Sequence, residues 1–116
     1  MIYEVTVFVN NNIAQSYETY MAKHIQDVVN TGCFVKAEWR KIISQESEDT
    51  GFVMSYEYLT DEHFERYSKE YAAALQAEHT ALWKGQFTAS RRMLCYIQTF
   101  INKKNLWESL CVENNE

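Results

Sequence analysis

The sequence contains no proline, only three glycines among 116 residues, and no long hydrophobic run. A bilayer-spanning helix needs about 20 consecutive apolar residues, so we expect no membrane segment. With proline absent, the glycines are the main breaks in the pattern. Gly32 and Gly85 each follow a helical pattern, and Gly51 lies in the polar stretch SQESEDTG, where a turn is predicted.

The chain also has few basic residues. It carries 11 Lys and Arg against 16 Asp and Glu, which gives a net charge of -5 and a pI of about 5.2. No basic stripe runs along any segment, so the composition argues against nucleic-acid binding. The amino-terminal segment MIYEVTVFV has no basic region before it and alternates as a strand does. We therefore expect mature protein here and not a signal peptide.

Cysteine is scarce and its spacing is uninformative. Cys33, Cys95 and Cys111 are odd in number, and no two form a C-x-x-C pair. This argues against a disulfide framework and against a zinc site of the usual spacing. A reducing, cytoplasmic location is the expectation that follows, with each cysteine acting as a small apolar residue.

The hydrophobic pattern predicts six elements of regular structure. Strict alternation is typical of strands, and apolar residues three or four apart are typical of helices. The segment Thr60 to Glu62 has the capping hydroxyl and the acidic residues of a helix start. The predicted elements are strands at residues 2–9, 33–44, 52–59 and 87–100, and helices at residues 12–30 and from Thr60 through Leu82. The apolar stripe of the first helix includes Tyr17, and that of the second includes Tyr67 and Leu82.

The order of these elements is βαββαβ, which defines a ferredoxin-like α+β fold. It predicts a four-stranded antiparallel sheet in the order 4-1-3-2, with two helices on one face. Residues 1–101 would form this single domain. Residues 102–116 would form a tail, with a short docking helix followed by disorder.

Four polar residues interrupt the apolar faces of these elements. His24 falls on the buried side of the first helix, Glu78 falls on the stripe of the second with His79 at its edge, and Arg91 lies on the apolar face of the last strand. Burying a lone charge costs several kcal/mol, so such groups must pair or stay wet. One interpretation is structural: Glu78 pairs with Arg91, and a backbone carbonyl or a tyrosine satisfies His24. The other is a polar pocket in which His24 carries a proton.

The same residues do not predict a metal site or a cofactor. A metal needs at least three converging ligands, whereas Glu78 and His79 diverge by about 100° on a helix and His63 lies elsewhere. No strand-turn-helix elbow surrounds a serine or cysteine, which argues against a nucleophile of that type. His79 alone is not a haem motif, so we expect no tight haem binding and no bound cofactor.

One face of the predicted sheet carries no helix, yet it holds several large apolar groups. Such groups rarely cluster on a face that is open to water. We therefore expect a homodimer through this face, with polar groups lining a cavity between the subunits. The face is predicted to present Glu4, Thr6, Phe8, Phe34, Lys36, Glu38, Arg40, Ile42, Ser55, Glu57, Arg92, Leu94, Tyr96 and Gln98.

The segments HIQDVVNTGCF, QAEHTALW and FTASRRML together resemble a family of small bacterial proteins of unknown function. The resemblance covers roughly residues 1–101 and implies a dimeric α/β-barrel arrangement, but it implies no activity. Gln26 and Ala73 stand where relatives tend to have proline, and the carboxy-terminal tail is a further departure. The positions that match the family pattern are His24, Gly32, Phe34, Tyr67, Glu78, His79 and Arg91.

Two functions remain open from the sequence. The first is a ligand-binding or structural dimer whose polar cluster comprises His24, Glu78, His79 and Arg91. The alternative is a cofactor-independent small-molecule monooxygenase or isomerase, in which His24 and Arg91 polarise a substrate; the wider superfamily of dimeric barrels suggests it by analogy only. An enclosed cavity lined by His24 and Arg91 would favour the enzyme, and a dry, filled one would favour the structural protein.

Overall fold

Strand alternation and helical periodicity predict the type and order of the elements, whereas the second helix is divided in two and the second and fourth strands are shorter than predicted. The structure is a computed structural model, and it describes residues 1–43 and 48–104. In chain order the elements are β1 (Ile2–Asn10), a 3-10 turn (Asn11–Ile13), α1 (Ala14–Val29), β2 (Lys36–Lys41), β3 (Asp49–Glu57), α2 (Asp61–Glu70), α3 (Ala72–Trp83) and β4 (Phe87–Leu94).

The four strands form one antiparallel sheet in the order β2-β3-β1-β4, so the predicted order 4-1-3-2 is confirmed. The long central strands β1 and β3 pair along their whole length, with Val5 opposite Met54. β4 pairs with the other side of β1, where Val5 faces Arg91. The fold is therefore the expected ferredoxin-like α+β arrangement, with β1 and β3 in the centre.

The core lies between the helices and one face of this sheet. Every second residue of β1 is buried there because the side-chain period of a strand is two. Phe52, Met54 and Tyr17 are among the most completely buried side chains. The residues of β1 and β3 that contribute to this core are Tyr3, Val5, Val7, Val9, Phe52, Met54 and Tyr56.

Phe34 was expected on the helix-free face, and that prediction is wrong. The ring is only 6% exposed and packs against Tyr3 and Tyr67 on the helix side. β2 begins only at Lys36, after a bend at Val35. The alternation of the strand does not extend back through that bend, so Phe34 reaches the opposite face.

Gly51 lies inside β3 and not in the predicted turn, because this strand begins at Asp49. It faces Phe8 of β1. A Cβ at this position would stand 2.7 Å from a carbon of the Phe8 ring and 2.8 Å from the end of Ile42. A close packing contact therefore requires glycine here.

The starts and ends of the helices follow local chemistry. The Thr60 hydroxyl accepts a hydrogen bond from the backbone N–H of His63, which confirms the predicted capped start of α2. Asn10, by contrast, makes no side-chain cap before the 3-10 turn. Gly32 and Gly85 follow α1 and α3 with φ of 82° and 78°, values that favour glycine.

The predicted second helix is divided at Tyr71 into α2 and α3. Tyr71 has φ −125° and ψ −36°, outside the helical region. Beyond it the half-buried positions are Ala72, Leu75, His79 and Trp83. Leu82, which was expected on the buried stripe, is 55% exposed.

The helix-free face carries a charged centre between apolar ends. The Nε of Arg92 lies 2.7 Å from a carboxylate oxygen of Glu4 on the neighbouring strand, so opposite charges pair across the strands here. Along β2, Glu38 is flanked by Lys36 and Arg40, and both pair with it. Ile2, Phe8 and Val53 on the same face are half-buried.

The predicted fourth strand is shorter than expected and ends at Leu94. Tyr96, Ile97, Phe100 and Ile101 follow it, and each is at least 70% exposed. The predicted helix in the tail falls on residues outside the described part of the chain. Within that part, no helix is long and apolar enough to cross a membrane.

Candidate functional site

A cavity of about 310 Å³ lies between the helix layer and the sheet. Its floor consists of the inward residues of β1, β3 and β4, and its roof consists of α1, α2 and α3. The lining residues are Tyr3, Val5, Val7, Tyr17, Met21, His24, Val28, Met54, Tyr56, Tyr67, Leu75, Gln76, His79, Thr80, Phe87, Ala89 and Arg91.

Tyr17 and His79 form the closest polar contact of this cavity. The Tyr17 hydroxyl lies 2.7 Å from His79 Nε2, and their rings meet edge to face. On its other side the His79 imidazole packs against Phe87, with ring centroids 4.6 Å apart. These contacts fix the orientation of the imidazole between α1 and β4.

The environment of His79 keeps this imidazole neutral. Burial, together with the charges of the nearby His24 and Arg91, lowers the pKa of His79 from 6.5 to about 4. At neutral pH one ring nitrogen of His79 is therefore an acceptor and the other a donor. A neutral, oriented imidazole can accept a proton from a bound molecule.

A second tyrosine and histidine pair lies beside the first. The Tyr20 hydroxyl is 3.1 Å from His24 Nδ1, and the two rings stack at 5.3 Å. A tyrosine partner for His24 was one of the expected alternatives and is confirmed. The pKa of His24 is lowered by burial, and the negative charges of Glu78 and Asp27 partly offset this effect. His24 is half-buried, whereas full burial was expected.

Arg91 brings a positive charge to the cavity from the edge strand β4. Its predicted position on the helix side is correct, since it lines the cavity with Phe87 and Ala89. Burial raises the pKa of Tyr3, and the adjacent Arg91 guanidinium partly offsets the increase through its charge and a hydrogen bond. The charge of Arg91 also lowers the pKa of Tyr17 and of Tyr67, although burial raises both overall.

The expected ion pair between Glu78 and Arg91 is absent, so that prediction is wrong. Glu78 is exposed on the outer side of α3 and does not line the cavity. The helical wheel was continued through Tyr71, where the helix in fact breaks. The inward positions of α3 therefore include His79, which was expected only at the edge of the stripe.

Several residues of the site were not identified as functional from the sequence. Tyr17 was assigned to the apolar stripe, although its hydroxyl binds His79. Burial raises the pKa of Tyr20 and of Tyr67 to about 12, so both hydroxyls remain protonated and can donate. The indole Nε1 of Trp83 is buried with no partner among the described residues. The abundance of tyrosine, eight residues in 116, was the available signal.

The described residues contain no group of three or more His, Cys, Asp or Glu side chains placed to hold one metal ion. His24 and His79 lie with their ring centroids 5.7 Å apart. Each of them is instead bonded to a tyrosine hydroxyl. The polar side chains that line the cavity are Tyr3, Tyr17, His24, Tyr56, Tyr67, Gln76, His79, Thr80 and Arg91.

A family model of a domain of unknown function, DUF4286, matches residues 1–97. The chain belongs to the DUF4286 family. The match spans the whole sheet and all three helices of the domain, and so includes every residue that lines the cavity. Comparison with curated proteins gives no match.

Solved structures similar to this DUF4286 chain share its fold at low identity. SnoaB, a cofactor-independent oxygenase from Streptomyces nogalater, has a TM-score of 0.63 and 14% identity over 87% of this chain and 97% of its own. An EthD family protein from Bacillus halodurans has a TM-score of 0.57 and 10% identity over 82% and 100% of the two chains. A dimeric ferredoxin-like protein from an uncultured marine organism has a TM-score of 0.52 and 14% identity over 88% and 100%.

Proposed function

We propose that this protein is a homodimer that binds a small molecule in the cavity between its helices and its sheet. The observation that carries the proposal is the cavity itself, in which His24, His79 and Arg91 lie among aromatic and aliphatic side chains, with Gln76 and Thr80 as further polar residues. Ligand sites are concave and mostly apolar, with a few convergent polar groups, and have volumes of roughly 300 Å³ upward. A volume of about 310 Å³ suits a molecule of one or two rings.

The presence of this cavity favours ligand binding over a purely structural role for the polar cluster. A purely structural cluster would be filled and fully satisfied, because protein interiors are packed to the density of organic crystals. Here His79 and Arg91 border open volume instead. We therefore place ligand binding ahead of a structural role for these residues.

A fragment screen followed by protein NMR tests the proposal. Met21 and Met54 both line the cavity, and their methyl resonances report on its occupancy. Fragments of one or two rings should shift both methyl signals in a saturable way. A His79→Trp substitution that fills the cavity should abolish those shifts. A library that leaves both methyl signals unchanged would refute ligand binding at this site.

A second candidate function is cofactor-independent chemistry that begins with proton abstraction. It is favoured by one arrangement: the neutral imidazole of His79 and the cation of Arg91 border the same cavity. The imidazole would take a proton from a carbon or oxygen acid, and Arg91 would stabilise the resulting anion. An oxygenase or an isomerase could use this step, and SnoaB is a cofactor-independent oxygenase of similar fold.

Proton abstraction can be tested without knowledge of the full reaction. A bound ketone with acidic α-hydrogens should exchange them with deuterated solvent faster in the wild type than in His79→Gln. Equal exchange rates in the two proteins would leave binding as the only function supported.

The dimer is proposed to form through the helix-free face of the sheet. Ile2, Phe8 and Val53 place apolar surface around the Arg92–Glu4 pair on this face. The apolar side chains that follow β4, from Tyr96 to Ile101, are highly exposed in the single chain and add further surface for a second copy. One of the structural neighbours is a dimeric ferredoxin-like protein, which supports dimer formation. We place the protein in the cytoplasm, where its free thiols would stay reduced.

A further inference from the structure

We propose that the ligand of this cavity is a monoanion with a flat apolar body, and that Arg91 binds its negative charge. This inference rests on the proposed function and adds the chemical class of the molecule. It follows from three features of the described residues: the charges that line the cavity, the partners of Arg91, and the nature of the walls.

The charge on the cavity wall is opposite in sign to the charge of the protein. The chain carries a net charge of -5 with 16 acidic residues, yet no Asp or Glu of the described residues lines the cavity. Arg91 is the one lining residue with a permanent charge, since His79 is held neutral. A lining of this kind attracts an anion and repels a cation.

Arg91 has no competing partner for its charge. Among the residues that the structure describes, no carboxylate lies within ion-pair distance of its guanidinium. Its neighbour Arg92 points to the opposite face of the sheet and pairs there with Glu4 at 2.7 Å. The two adjacent arginines therefore differ in their partners: Arg92 forms a salt bridge with Glu4, and the guanidinium of Arg91 is available to an anionic ligand.

Hydrogen-bond donors close to Arg91 complete a site for an oxygen anion. Tyr3 lies beside the guanidinium, and burial holds its hydroxyl in the protonated form. A planar guanidinium with five N–H donors matches a carboxylate or an enolate oxygen well. Arg91 and Tyr3 together can bind one such group at the β4 side of the cavity.

The remaining walls fit an apolar body with a single charged group. Val5, Val7 and Met54 form the floor, and Phe87 closes one side. Aromatic faces and aliphatic side chains favour a flat ring, and the further polar residues of the lining, such as Gln76 and Thr80, carry no charge. A dianion or a polyamine would therefore leave a charge without a partner on these walls.

The test compares two molecules of nearly equal shape that differ in charge. Binding of 2-naphthoate and of naphthalene-2-carboxamide to the full chain is measured by isothermal titration calorimetry at pH 7.5 and low salt. The wild type should bind the carboxylate at least tenfold more tightly. Shifts of the Met21 and Met54 methyl signals on addition of each compound place it in the cavity.

Variants of the two adjacent arginines show which one binds the negative charge of the ligand. R91Q should lose the preference for the carboxylate, and R91K, which keeps the positive charge, should retain part of it. R92Q is the matched control and should keep the full preference. Circular dichroism confirms that each variant is folded, so a loss of preference in R91Q is not a loss of structure.

The possible failures are distinguishable. If the carboxamide binds in the cavity as tightly as the carboxylate, the anionic class is wrong and ligand binding stands. If R91Q keeps the preference and R92Q loses it, the charge is bound elsewhere and Arg91 is not its partner. If neither naphthyl compound nor any screened fragment shifts the methionine methyl signals, the proposed function itself is refuted, and this inference with it.

Discussion

At the scale of single residues, the two tyrosine and histidine pairs have different environments. Tyr17 is completely buried and holds His79 at 2.7 Å, whereas Tyr20 and His24 are only half-buried and stack at the edge of the cavity. The hydroxyl of a buried tyrosine needs a partner, and an imidazole nitrogen supplies it here. The same hydrogen bond that satisfies Tyr17 therefore also fixes the orientation of His79 toward the cavity.

The lowered pKa of His79 should make the protein sensitive to acid. The folded pKa, about 4, is below the unfolded value of 6.5, so the unfolded chain binds the proton first. The contribution of His79 is complete above pH 6.5 and is lost as the pH falls toward 4. The loss should be at most about 3 kcal/mol, less where solvent reaches the ring. Urea unfolding of the wild type and of His79→Gln between pH 7 and pH 4 measures it.

The variant should show a flatter dependence of the free energy of unfolding on pH over that window. Parallel curves for the two proteins would show that His79 titrates normally in the folded state.

His24→Ala should destabilise the fold by on the order of 1 kcal/mol, because it removes the hydrogen bond and the stacking partner of Tyr20. The expected loss of stability is small because His24 is half-buried and water can replace it as a hydrogen-bond partner of Tyr20. His24→Gln should recover part of the loss by offering a new hydrogen-bond partner. Thermal unfolding at pH 7.5 compares the three proteins. An unchanged melting temperature in His24→Ala would mean that the residue serves the cavity alone.

At the scale of elements, the break at Tyr71 determines which polar residue enters the interior. Leu75, His79 and Trp83 follow it at four-residue intervals on the inner side of α3. Without the break, a regular helix would gain about 100° per residue and turn Glu78 toward the sheet. A carboxylate at that position would have given Arg91 an internal partner. The break instead leaves Arg91 facing the cavity.

This assignment predicts opposite outcomes for two adjacent positions. Glu78→Ala should change the free energy of unfolding by less than about 0.5 kcal/mol, as for most exposed positions. His79→Ala should cost on the order of 2 kcal/mol, because it leaves the Tyr17 hydroxyl without a partner and removes the contact with Phe87. Chemical denaturation measures both. A larger loss of stability in Glu78→Ala than in His79→Ala would mean that Glu78, and not His79, is the inward residue of α3.

The close contact between Gly51 of β3 and Phe8 of β1 leads to a second prediction at the scale of elements. Gly51→Ala should destabilise the sheet by about 1 to 3 kcal/mol, since the added methyl group overlaps the Phe8 ring and the end of Ile42. Phe8→Leu in the same chain should relieve part of this loss because it removes the ring. A double-mutant cycle measures the coupling, and additive losses would show that Phe8 is not the obstacle.

At the scale of the whole molecule, the proposed dimer predicts a difference between two faces. Val53→Arg, near the centre of the helix-free face, should convert the dimer to a monomer by placing an unpaired charge in the interface. Ala22→Arg, on the exposed side of α1, is the matched control and should remain dimeric. Light scattering after size-exclusion chromatography at micromolar concentration measures the molecular mass of the wild type and of both variants. A wild-type monomer, or a Val53→Arg dimer, would exclude this interface.

The sequence by itself determined the element order, the strand order and most of the inward faces. The element order and the inward faces depend on local periodicity, which a strand or helix repeats every two or 3.6 residues. The strand order follows from the βαββαβ element order through the ferredoxin-like fold. The sequence also placed His24 and Arg91 correctly on the helix side of the sheet, because each lies well inside one regular element; Arg91 is exposed there and His24 is half-buried. Alternation likewise put Arg92 on the opposite face from Arg91, and the structure agrees.

Only the tertiary structure decided the rest. Phe34 was assigned to the wrong face because the chain bends at Val35, and Glu78 because the helix breaks at Tyr71. After such an interruption the side chains no longer follow the periodicity of the preceding segment. The contact of Tyr17 with His79 joins residues 62 positions apart and exists only once α1 and α3 pack on the same sheet. The cavity has the same origin: its volume depends on how far the helices stand from the strands, and no single segment encodes that distance.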